Sequence, residues 1–334
     1  MRRRLRTACI SAFAMAALGC SASKGASTDV GGPQFDALEQ VRTTTPNESQ
    51  AARETHAIKT VFLIVMENHN WSDIKGSASA PFVNKTLLSA GAHAENYFDN
   101  WKGMHPSEPN YVWFEAGDNL SITDDDAPAA NHRTTKRHLT ALLDDANVSW
   151  KSYQEGISGA ECPLSSNGLY DPKHNPMVYF DDVTDGVSST SRHCIDHVRP
   201  YDELASDLKN DSVASYNFIT PDQCNDMHNA GGCKASDAVK NGDDWLASEL
   251  PKILDSASYK RGGAVFITWD ESEGGEAPIG MIVLSPFAKQ NYDNAVHYTH
   301  SSMLRTTQEI FAVEPLLRDA SSAASLSDLF VRYP

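Results

Sequence analysis

Carboxylate and amide side chains recur at three places along the chain where short apolar runs end. Glu67 and Asn68 follow the first of these runs, Asp270 and Glu271 follow a later one, and a third run leads into segment 222–228. Carboxylates that crowd together repel one another unless a cation lies among them. The three places together therefore indicate a site for a divalent metal ion, although each acid alone would equally well cap a helix or begin a turn.

A serine lies between two prolines in segment 105–111, whose sequence is HPSEPNY. Because proline fixes its own backbone φ angle, we expect a rigid turn that presents the hydroxyl of Ser107. A serine hydroxyl is a poor nucleophile at neutral pH, and a divalent cation activates it by binding the alkoxide. Ser107 is therefore a candidate nucleophile, and the alternative is an ordinary proline-rich loop.

Histidines at three further points complete the set of residues that could do chemistry. His174 follows Lys173, His228 ends segment 222–228, and His300 precedes a predicted helix. In a phosphate site, histidine binds phosphoryl oxygens or protonates a leaving oxygen. A lone histidine is more often structural or exposed, and the same holds for Lys173 as a phosphate ligand, so each is a candidate only as a member of the common site.

The positions of these residues depend on an alternation of strands and helices. Apolar, β-branched runs predict strands at 60–66, 148–153, 214–219, 264–269 and 279–284. Helices are predicted at 81–90, 136–146, 200–209, 242–256 and 301–312. The alternation predicts an α/β fold with a doubly wound, mostly parallel sheet and helices on both faces. Parallel strands end at one edge, so we expect the residues that follow them to meet there.

Seven motifs within about residues 58–312 follow one another in an order that resembles one family. In chain order they are 65–68 (VMEN) with Trp71 and Asp73, 107–111 (SEPNY), 173–176 (KHNP), 221–222 with 225–226 and His228, 268–271 (TWDE), 284–286 (LSP), and 300–306. The ordered set resembles the bacterial phosphoesterase family that joins phospholipases C to acid phosphatases. That family belongs to the alkaline-phosphatase-like superfamily, so the resemblance implies the same fold here.

The resemblance also implies a metal-dependent phosphoric ester hydrolase. Its metal ligands would be Glu67, Asn68, Ser107, Asp270 and Glu271. Ser107 would attack phosphorus and form a phosphoserine that water then hydrolyses. The other catalytic residues would be His174 and His228, and the substrate-binding residues Asn68, Asn110 and His300. Which histidine is the general acid stays open, as does the metal: oxygen ligands suit Mg²⁺, Ca²⁺ or Mn²⁺, and a histidine ligand favours Zn²⁺ or iron.

Two departures favour the acid phosphatase branch over the phospholipase branch. Tyr111 stands where phospholipases usually have arginine, and Ser107 stands where they usually have threonine. We therefore expect a phosphomonoesterase; the alternative is a phospholipase C-type phosphodiesterase that releases a phosphorylated headgroup. A sulfatase is disfavoured because its formylglycine motif needs arginine at position 111. A non-catalytic binding module is the remaining alternative, which the retained serine and acids argue against.

The charge of the chain limits its partners. Its 334 residues include 44 Asp and Glu against 28 Lys and Arg, which gives a formal net charge of −16. This excess of acids argues against nucleic acid as a partner and against binding to an anionic membrane through a basic patch. A small phosphate ester or a phospholipid headgroup is the expected substrate.

The N-terminal segment resembles an export signal. Residues 1–20 combine an arginine-rich start with a short apolar run and end at Cys20, which fits a lipoprotein processing site. We expect residues 21–57 to form a flexible tether with at most one short helix, and residues 58–334 to form the catalytic domain. The protein would then be periplasmic, anchored to the outer membrane through acylated Cys20, or secreted, and this lipid anchor would be its only membrane attachment.

Four cysteines lie beyond the predicted signal, at positions 162, 194, 224 and 233. An even number in an exported protein indicates two disulfides. The shorter loops favour the pairs Cys162–Cys194 and Cys224–Cys233. A metal site of four cysteines is the alternative, but the sequence has no Cys-x-x-Cys pair.

Overall fold

Strand β1 (Thr60–Met66) lies within an eight-stranded sheet, and all its residues are buried. The computed structural model describes residues 46–100, 104–233 and 235–334. The other strands are β2 (Ala92–Ala94), β3 (Tyr97–Phe98), β4 (Trp150–Gln154), β5 (Val198–Pro200), β6 (Tyr216–Thr220), β7 (Gly263–Trp269), β8 (Met281–Leu284), β9 (Tyr292–Asn294) and β10 (Tyr298–Thr299). The sheet order is β5-β4-β6-β1-β7-β8-β2-β9, and β3 pairs with β10 separately.

Most of the sheet is parallel, as the sequence predicts. Strand β1 runs parallel to both its neighbours, β6 and β7, while β8 is antiparallel to β7 and β2. The five predicted strands are all present, with ends within two residues of those expected. The predicted α/β class with a mostly parallel sheet is therefore confirmed.

Helices connect the strands and cover the sheet. They are α1 (Pro46–Thr55), α2 (Trp71–Ile74), α3 (Leu88–Ala90), α4 (Ser107–Ala116), α5 (Pro128–Asn131), α6 (Leu139–Asp145), α7 (Asp181–Thr184), α8 (Arg192–His197), α9 (Asp202–Asn210), α10 (Ala238–Leu254), α11 (Ala257–Lys260) and α12 (His300–Phe311). A π-helical segment, Val83–Leu87, precedes α3. All five predicted helical regions contain helix. The expected turn at Ser107 is wrong, because Ser107 instead begins helix α4.

The two faces of the sheet pack against different helices. Phe218 of β6 contacts Phe114 of α4 edge-on, with ring centroids 6.3 Å apart. Phe218 is paired with Leu63 of β1, so both side chains lie on this face of the sheet. Met66 follows Leu63 by three residues in β1, so its side chain points to the opposite face. There the end of the Met66 side chain lies against Gly242 of α10. Helices therefore cover both faces, which explains why the central strands are apolar throughout.

Two disulfides have the predicted pairing. Cys162 is bonded to Cys194, and Cys224 to Cys233. This pairing uses all four cysteines in the described part of the chain, so the alternative of a four-cysteine metal site is wrong. None of the helices in the described ranges combines the length and apolar character that a membrane span needs.

Helix α1 lies in the second half of the predicted tether and is joined to the rest of the domain. The Arg53 side chain donates hydrogen bonds to the carbonyl oxygens of Phe311 and Ala146. The amide of Ala57 donates to the carbonyl oxygen of Pro334 over 2.6 Å. These bonds place residues 46–57 with the folded domain. The predicted signal 1–20, with Cys20, and residues 21–45 of the tether lie outside the described residues.

A buried histidine connects helix α4 to its neighbours α6 and α7. Thr140 donates its hydroxyl hydrogen to Glu115, so its oxygen accepts from His138 Nδ1 at 3.0 Å. On the other side of the ring, Nε2 lies 2.9 Å from an Asp182 carboxylate oxygen. Two donor nitrogens require the imidazolium form. Burial opposes this form, but the bonds to Asp182 and Glu115 raise the pKa of His138 above its usual value.

We expect His138→Gln to lower the free energy of unfolding by about 3 kcal/mol near pH 6, because it leaves two carboxylates without their cation. A histidine whose pKa is higher in the folded state than in the unfolded state stabilises the fold. This stabilisation is complete below the unfolded-state pKa of about 6.5 and is lost as the pH rises through the folded-state pKa. The loss should therefore shrink as the pH is raised above about 6.5, when measured by urea denaturation.

The matched control is His132→Gln, because His132 pairs with Asp181 at 2.7 Å but has a side chain that is 38% exposed. This substitution should cost less than about 1 kcal/mol. A loss for His138→Gln that does not change with pH would contradict the charged state.

Candidate active site

The residues that follow β1 and β7 meet at the carboxyl edge of the sheet. Met66 is paired with Trp269, so Glu67 and Asp270 leave the sheet side by side. The backbone amide of Asn68 donates to Asp270 Oδ1 over 2.9 Å, and the side-chain amide of Asn68 donates to Glu271 Oε1 over 3.2 Å. These bonds hold the acidic ends of the two strands in one cluster.

Helix α4 presents three side chains to this cluster. Ser107 Oγ donates to Glu67 Oε2 at 3.3 Å, and Tyr111 one turn later donates to Glu67 Oε1 at 2.6 Å. Asn110 donates to Glu271 Oε2 at 3.1 Å. Residues three and four apart share one helix face, which explains how a single helix reaches both acids. Ser107 lies at the helix N-terminus, where the helix dipole favours an anion.

Two of the three predicted histidines lie beside Glu67. His174 Nε2 is 3.3 Å from Glu67 Oε1, and its Nδ1 is 3.6 Å from Asp226 Oδ2. The His174 ring stacks on Tyr111, with centroids 5.0 Å apart. His228 stands edge-on to His174 at 5.9 Å and is partly exposed. His174 is thus enclosed by the cluster, while His228 lies where solvent reaches it.

The third histidine, His300, lies behind the cluster. It is fully buried, and its Nε2 lies 2.6 Å from the carbonyl oxygen of Asp270. Since a carbonyl only accepts, Nε2 donates, and Nδ1 accepts from the Tyr97 hydroxyl at 3.2 Å. Burial lowers the pKa of His300 to about 3. Both ring nitrogens are occupied, so His300 fixes the backbone of Asp270 and offers no free nitrogen to a substrate.

Several residues of the site lie outside the predicted catalytic, substrate-binding and metal-ligand residues. His105 Nδ1 lies 2.9 Å from Glu271 Oε1. Lys173 is 14% exposed and donates to Asp125 at 3.0 Å, so it is a largely buried cation rather than a solvated one. Tyr111 bonds Glu67 directly. Tyr111 follows Ser107 by four residues, which places both side chains on one face of a helix. The sequence indicates this only if segment 107–116 is predicted to be helical.

Burial makes the charges of the cluster depend on one another. Burial raises the pKa of Glu67, but two neighbouring histidines and the Tyr111 hydroxyl outweigh it and lower that pKa to about 2. Burial and the charge of Glu67 raise the pKa values of Asp226 and Asp270 well above their usual range. The same two causes raise the pKa of Glu271 to about 9. The protein atoms alone therefore do not support four carboxylates in the charged form.

Unpartnered polar atoms show where a cation fits. Around the cluster, the buried atoms that lack a hydrogen-bond partner within the described ranges are Asn68 Oδ1, Asn110 Oδ1, His174 Nε2, Asp226 Oδ2, His228 Nδ1 and Asp270 Oδ2. Leaving a buried polar atom unpaired costs about 1–3 kcal/mol. Oxygen and imidazole nitrogen donors of this kind suit a divalent cation. The residues present therefore fit the metal ion that the sequence led us to expect.

The donors form two groups that share Glu67. One group is the predicted set of Glu67, Asn68, Ser107, Asp270 and Glu271. The other combines Glu67 with His174 and Asp226, which each place one ligand atom within 4.8 Å of the others. Asp226 was one of the acids noted after β6 but was not a predicted ligand. Its neighbour Asp222 accepts from the amides of Cys224 and Asn225 and shapes the loop instead.

The fold is similar to that of proteins of the alkaline phosphatase superfamily. Similar solved structures include a protein of the alkaline phosphatase superfamily from Vibrio parahaemolyticus, with a TM-score of 0.53, 11% identity, and coverage of 81% of this chain and 72% of that one. Another is the phosphonate monoester hydrolase of Agrobacterium radiobacter, with a TM-score of 0.52, 10% identity, and coverage of 82% and 77%. The chain itself belongs to the Phosphoesterase family, whose model matches residues 79–314. The predicted family is thus confirmed.

Curated relatives include fungal and bacterial phosphatases. A probable acid phosphatase of Kluyveromyces lactis is 28% identical over 227 residues, which cover 66% of this chain and 49% of that protein. A phosphate-repressible acid phosphatase of Penicillium chrysogenum is 28% identical, covering 69% and 57%. A phosphatidylinositol-3-phosphatase of Mycobacterium tuberculosis is 24% identical, covering 85% and 87%. The chain spans about half the length of the fungal relatives.

The second donor group predicts a specific effect of Asp226→Asn. This substitution keeps the shape of the side chain but removes a charged ligand atom, so affinity for Mn²⁺ or Zn²⁺ should fall about tenfold or more. The stabilisation of thermal unfolding by each ion, measured over a range of concentrations, gives the apparent affinity. Asp222→Asn is the matched control in the same loop and should leave the affinity unchanged. Equal affinities for both variants would remove Asp226 from the site.

Proposed function

We propose that this protein hydrolyses phosphoric monoesters, with Ser107 as the nucleophile and a phosphoserine as the intermediate. The observation that supports this most strongly is the position of Ser107. Ser107 is 2% exposed and begins helix α4, and its hydroxyl donates to Glu67 inside a cluster of buried acids. A serine in a structural role has no need of these surroundings. The acid phosphatases among the relatives support the same reaction class.

The metal ions are part of this proposal. Glu67, Asn68, Ser107, Asp270 and Glu271 would hold one ion, and Glu67, His174 and Asp226 are the donors for a second. When bound, a divalent cation supplies positive charge that favours the deprotonated serine and offsets the charge of the phosphoryl oxygens. The metal identity is open, although His174 favours Zn²⁺ or iron in the second group.

The chain's own residues account for the bond changes. Ser107 reacts in its deprotonated form: its oxygen forms a bond to phosphorus while the bond from phosphorus to the ester oxygen breaks. The departing oxygen takes a proton from a histidine. A water molecule then attacks the phosphoserine and gives up a proton to the same histidine, which releases inorganic phosphate and restores Ser107. Glu67 accepts the Ser107 hydrogen bond, and Tyr111 fixes the orientation of Glu67.

His228 is the better candidate for the general acid. It is partly exposed, so a leaving group can reach it, whereas His174 is enclosed by Glu67, Asp226 and Tyr111. Burial lowers the pKa of His228, which makes its proton easier to release. Asn68 and Asn110 each have a side-chain oxygen without a partner in the described ranges, so both suit ligand contacts. In this scheme His300 is a positioning residue, because it holds the backbone of Asp270 through the carbonyl oxygen.

We expect Ser107→Ala to lower kcat/KM for p-nitrophenyl phosphate about 10³-fold or more, because it removes the attacking atom. Ser285→Ala is the matched control. Ser285 is also a buried serine, but its hydroxyl bonds the Gly263 carbonyl at the opposite end of β7. It should retain activity. Acid quenching during turnover, followed by peptide mass spectrometry, should find a phosphoryl group on Ser107. Turnover by Ser107→Ala at the wild-type rate would contradict the covalent mechanism.

The substrate is proposed to be a small monoester or the phosphorylated headgroup of a lipid. The Mycobacterium tuberculosis relative is named for phosphatidylinositol 3-phosphate, whose 3-phosphate is a monoester. This relative and the acid phosphatases favour a monoester over the diester that a phospholipase C cleaves. Release of inorganic phosphate from phosphatidylinositol 3-phosphate, without release of phosphocholine from phosphatidylcholine, is the expected result. The opposite pattern would support the phospholipase alternative.

Export of the protein is also part of the proposal. The two disulfides support an oxidising compartment such as the periplasm or the cell exterior. The arginine-rich start and Cys20 support a lipoprotein signal. Labelling with a radioactive fatty acid in the producing cells tests this, and the label should be absent when Cys20 is replaced by serine.

A further inference from the structure

A second group of metal-binding side chains lies outside the active site, where α6, α8 and β4 meet. Asp144 comes from α6, and His193 and His197 come from α8, one helical turn apart. One ligand atom from each of the three lies within 4.8 Å of the others. All three side chains are at least partly exposed, so an ion can reach them from solvent.

The two histidines are arranged for a shared ligand. Their rings stack with centroids 4.4 Å apart and an interplanar angle of 18°. His197 Nδ1 lies 2.9 Å from the carbonyl oxygen of His193, and a carbonyl only accepts. Nδ1 therefore carries the hydrogen, which leaves the lone pair of His197 on Nε2. A hydrogen bond of this kind orients metal-binding histidines and fixes their tautomer.

The carboxylate is also held in place. Trp150, at the start of β4, donates its indole hydrogen to Asp144 Oδ1 over 2.8 Å. The other oxygen, Oδ2, lies 3.2 Å from His193 Nε2. The Trp150 ring stacks on His197 with centroids 4.3 Å apart, which closes one side of the group. Asp144 and His197 are thus each fixed by a contact that leaves one ligand atom available, and His193 contacts Asp144 through Nε2.

We propose that Asp144, His193 and His197 bind a divalent transition-metal ion of the Zn²⁺ type. Two imidazole nitrogens and one carboxylate oxygen suit Zn²⁺, Ni²⁺ or Cu²⁺ better than Mg²⁺ or Ca²⁺. The site is independent of the proposed hydrolase centre and shares no residue with it. Its ion links the end of α6 to the edge strands, since His197 directly precedes β5 and Trp150 begins β4. The ion therefore has a structural role: it stabilises this edge of the sheet.

Equilibrium dialysis against Zn²⁺ tests the proposal by stoichiometry. The double variant His193→Gln/His197→Gln should bind one equivalent of Zn²⁺ less than the wild type and should hydrolyse p-nitrophenyl phosphate at an unchanged rate. His132→Gln removes a histidine paired with Asp181 elsewhere and should keep the wild-type stoichiometry. Equal stoichiometry in the wild type and the double variant would overturn the proposal and leave the group as a hydrogen-bonded network.

Fluorescence gives a second readout. Ni²⁺ bound beside His197 should quench Trp150, whose ring lies 4.3 Å from the His197 ring. The single variant His197→Gln keeps the bonds among Asp144, His193 and Trp150, so it serves if the double variant does not fold. Loss of one quenching phase in His197→Gln supports the site, and an unchanged titration contradicts it. Neither readout requires hydrolytic activity, so failure of the proposed function leaves this test intact.

Discussion

The structure depends on the convergence of buried carboxylates at one edge of the sheet. Glu67 and Asp270 leave adjacent parallel strands, and Asp226 follows the strand on the other side of β1. Such groups lose their hydration on burial and repel one another, so the protein must supply positive charge or accept protonated acids. Lys173 supplies part of that charge. We propose that a bound cation supplies the rest, and the unpartnered oxygens support this.

The surrounding elements position this cluster. Helix α4 directs Ser107, Asn110 and Tyr111 at the acids from one face, and His138 holds the far end of the same helix to α6 and α7. His300 holds the backbone of Asp270 from behind. Each of these contacts is directional, which is what a site needs if a phosphoryl group is to meet a fixed nucleophile.

Much of the site was predictable because parallel strands place their ends together. The apolar runs that form β1 and β7 specify where Glu67 and Asp270 emerge. The prolines around Ser107 suggested a loop, yet proline fits the first turn of a helix, so α4 and with it Tyr111 were missed. Sequence could not separate Asp226 from Asp222, because only the path of the loop decides which one turns inward. It also gave no sign that β8 runs antiparallel or that the nitrogens of His300 are both occupied.

The most direct test of this account is the metal content of the purified protein and of Asp270→Asn, measured by elemental analysis with thermal unfolding of the same samples. We expect at least one equivalent of a divalent metal per wild-type chain and less in the variant. Removing the metal from the wild type should abolish hydrolysis and lower the unfolding temperature, because the carboxylates then lose their cation. Full hydrolytic activity and an unchanged unfolding temperature in metal-free protein would contradict the account.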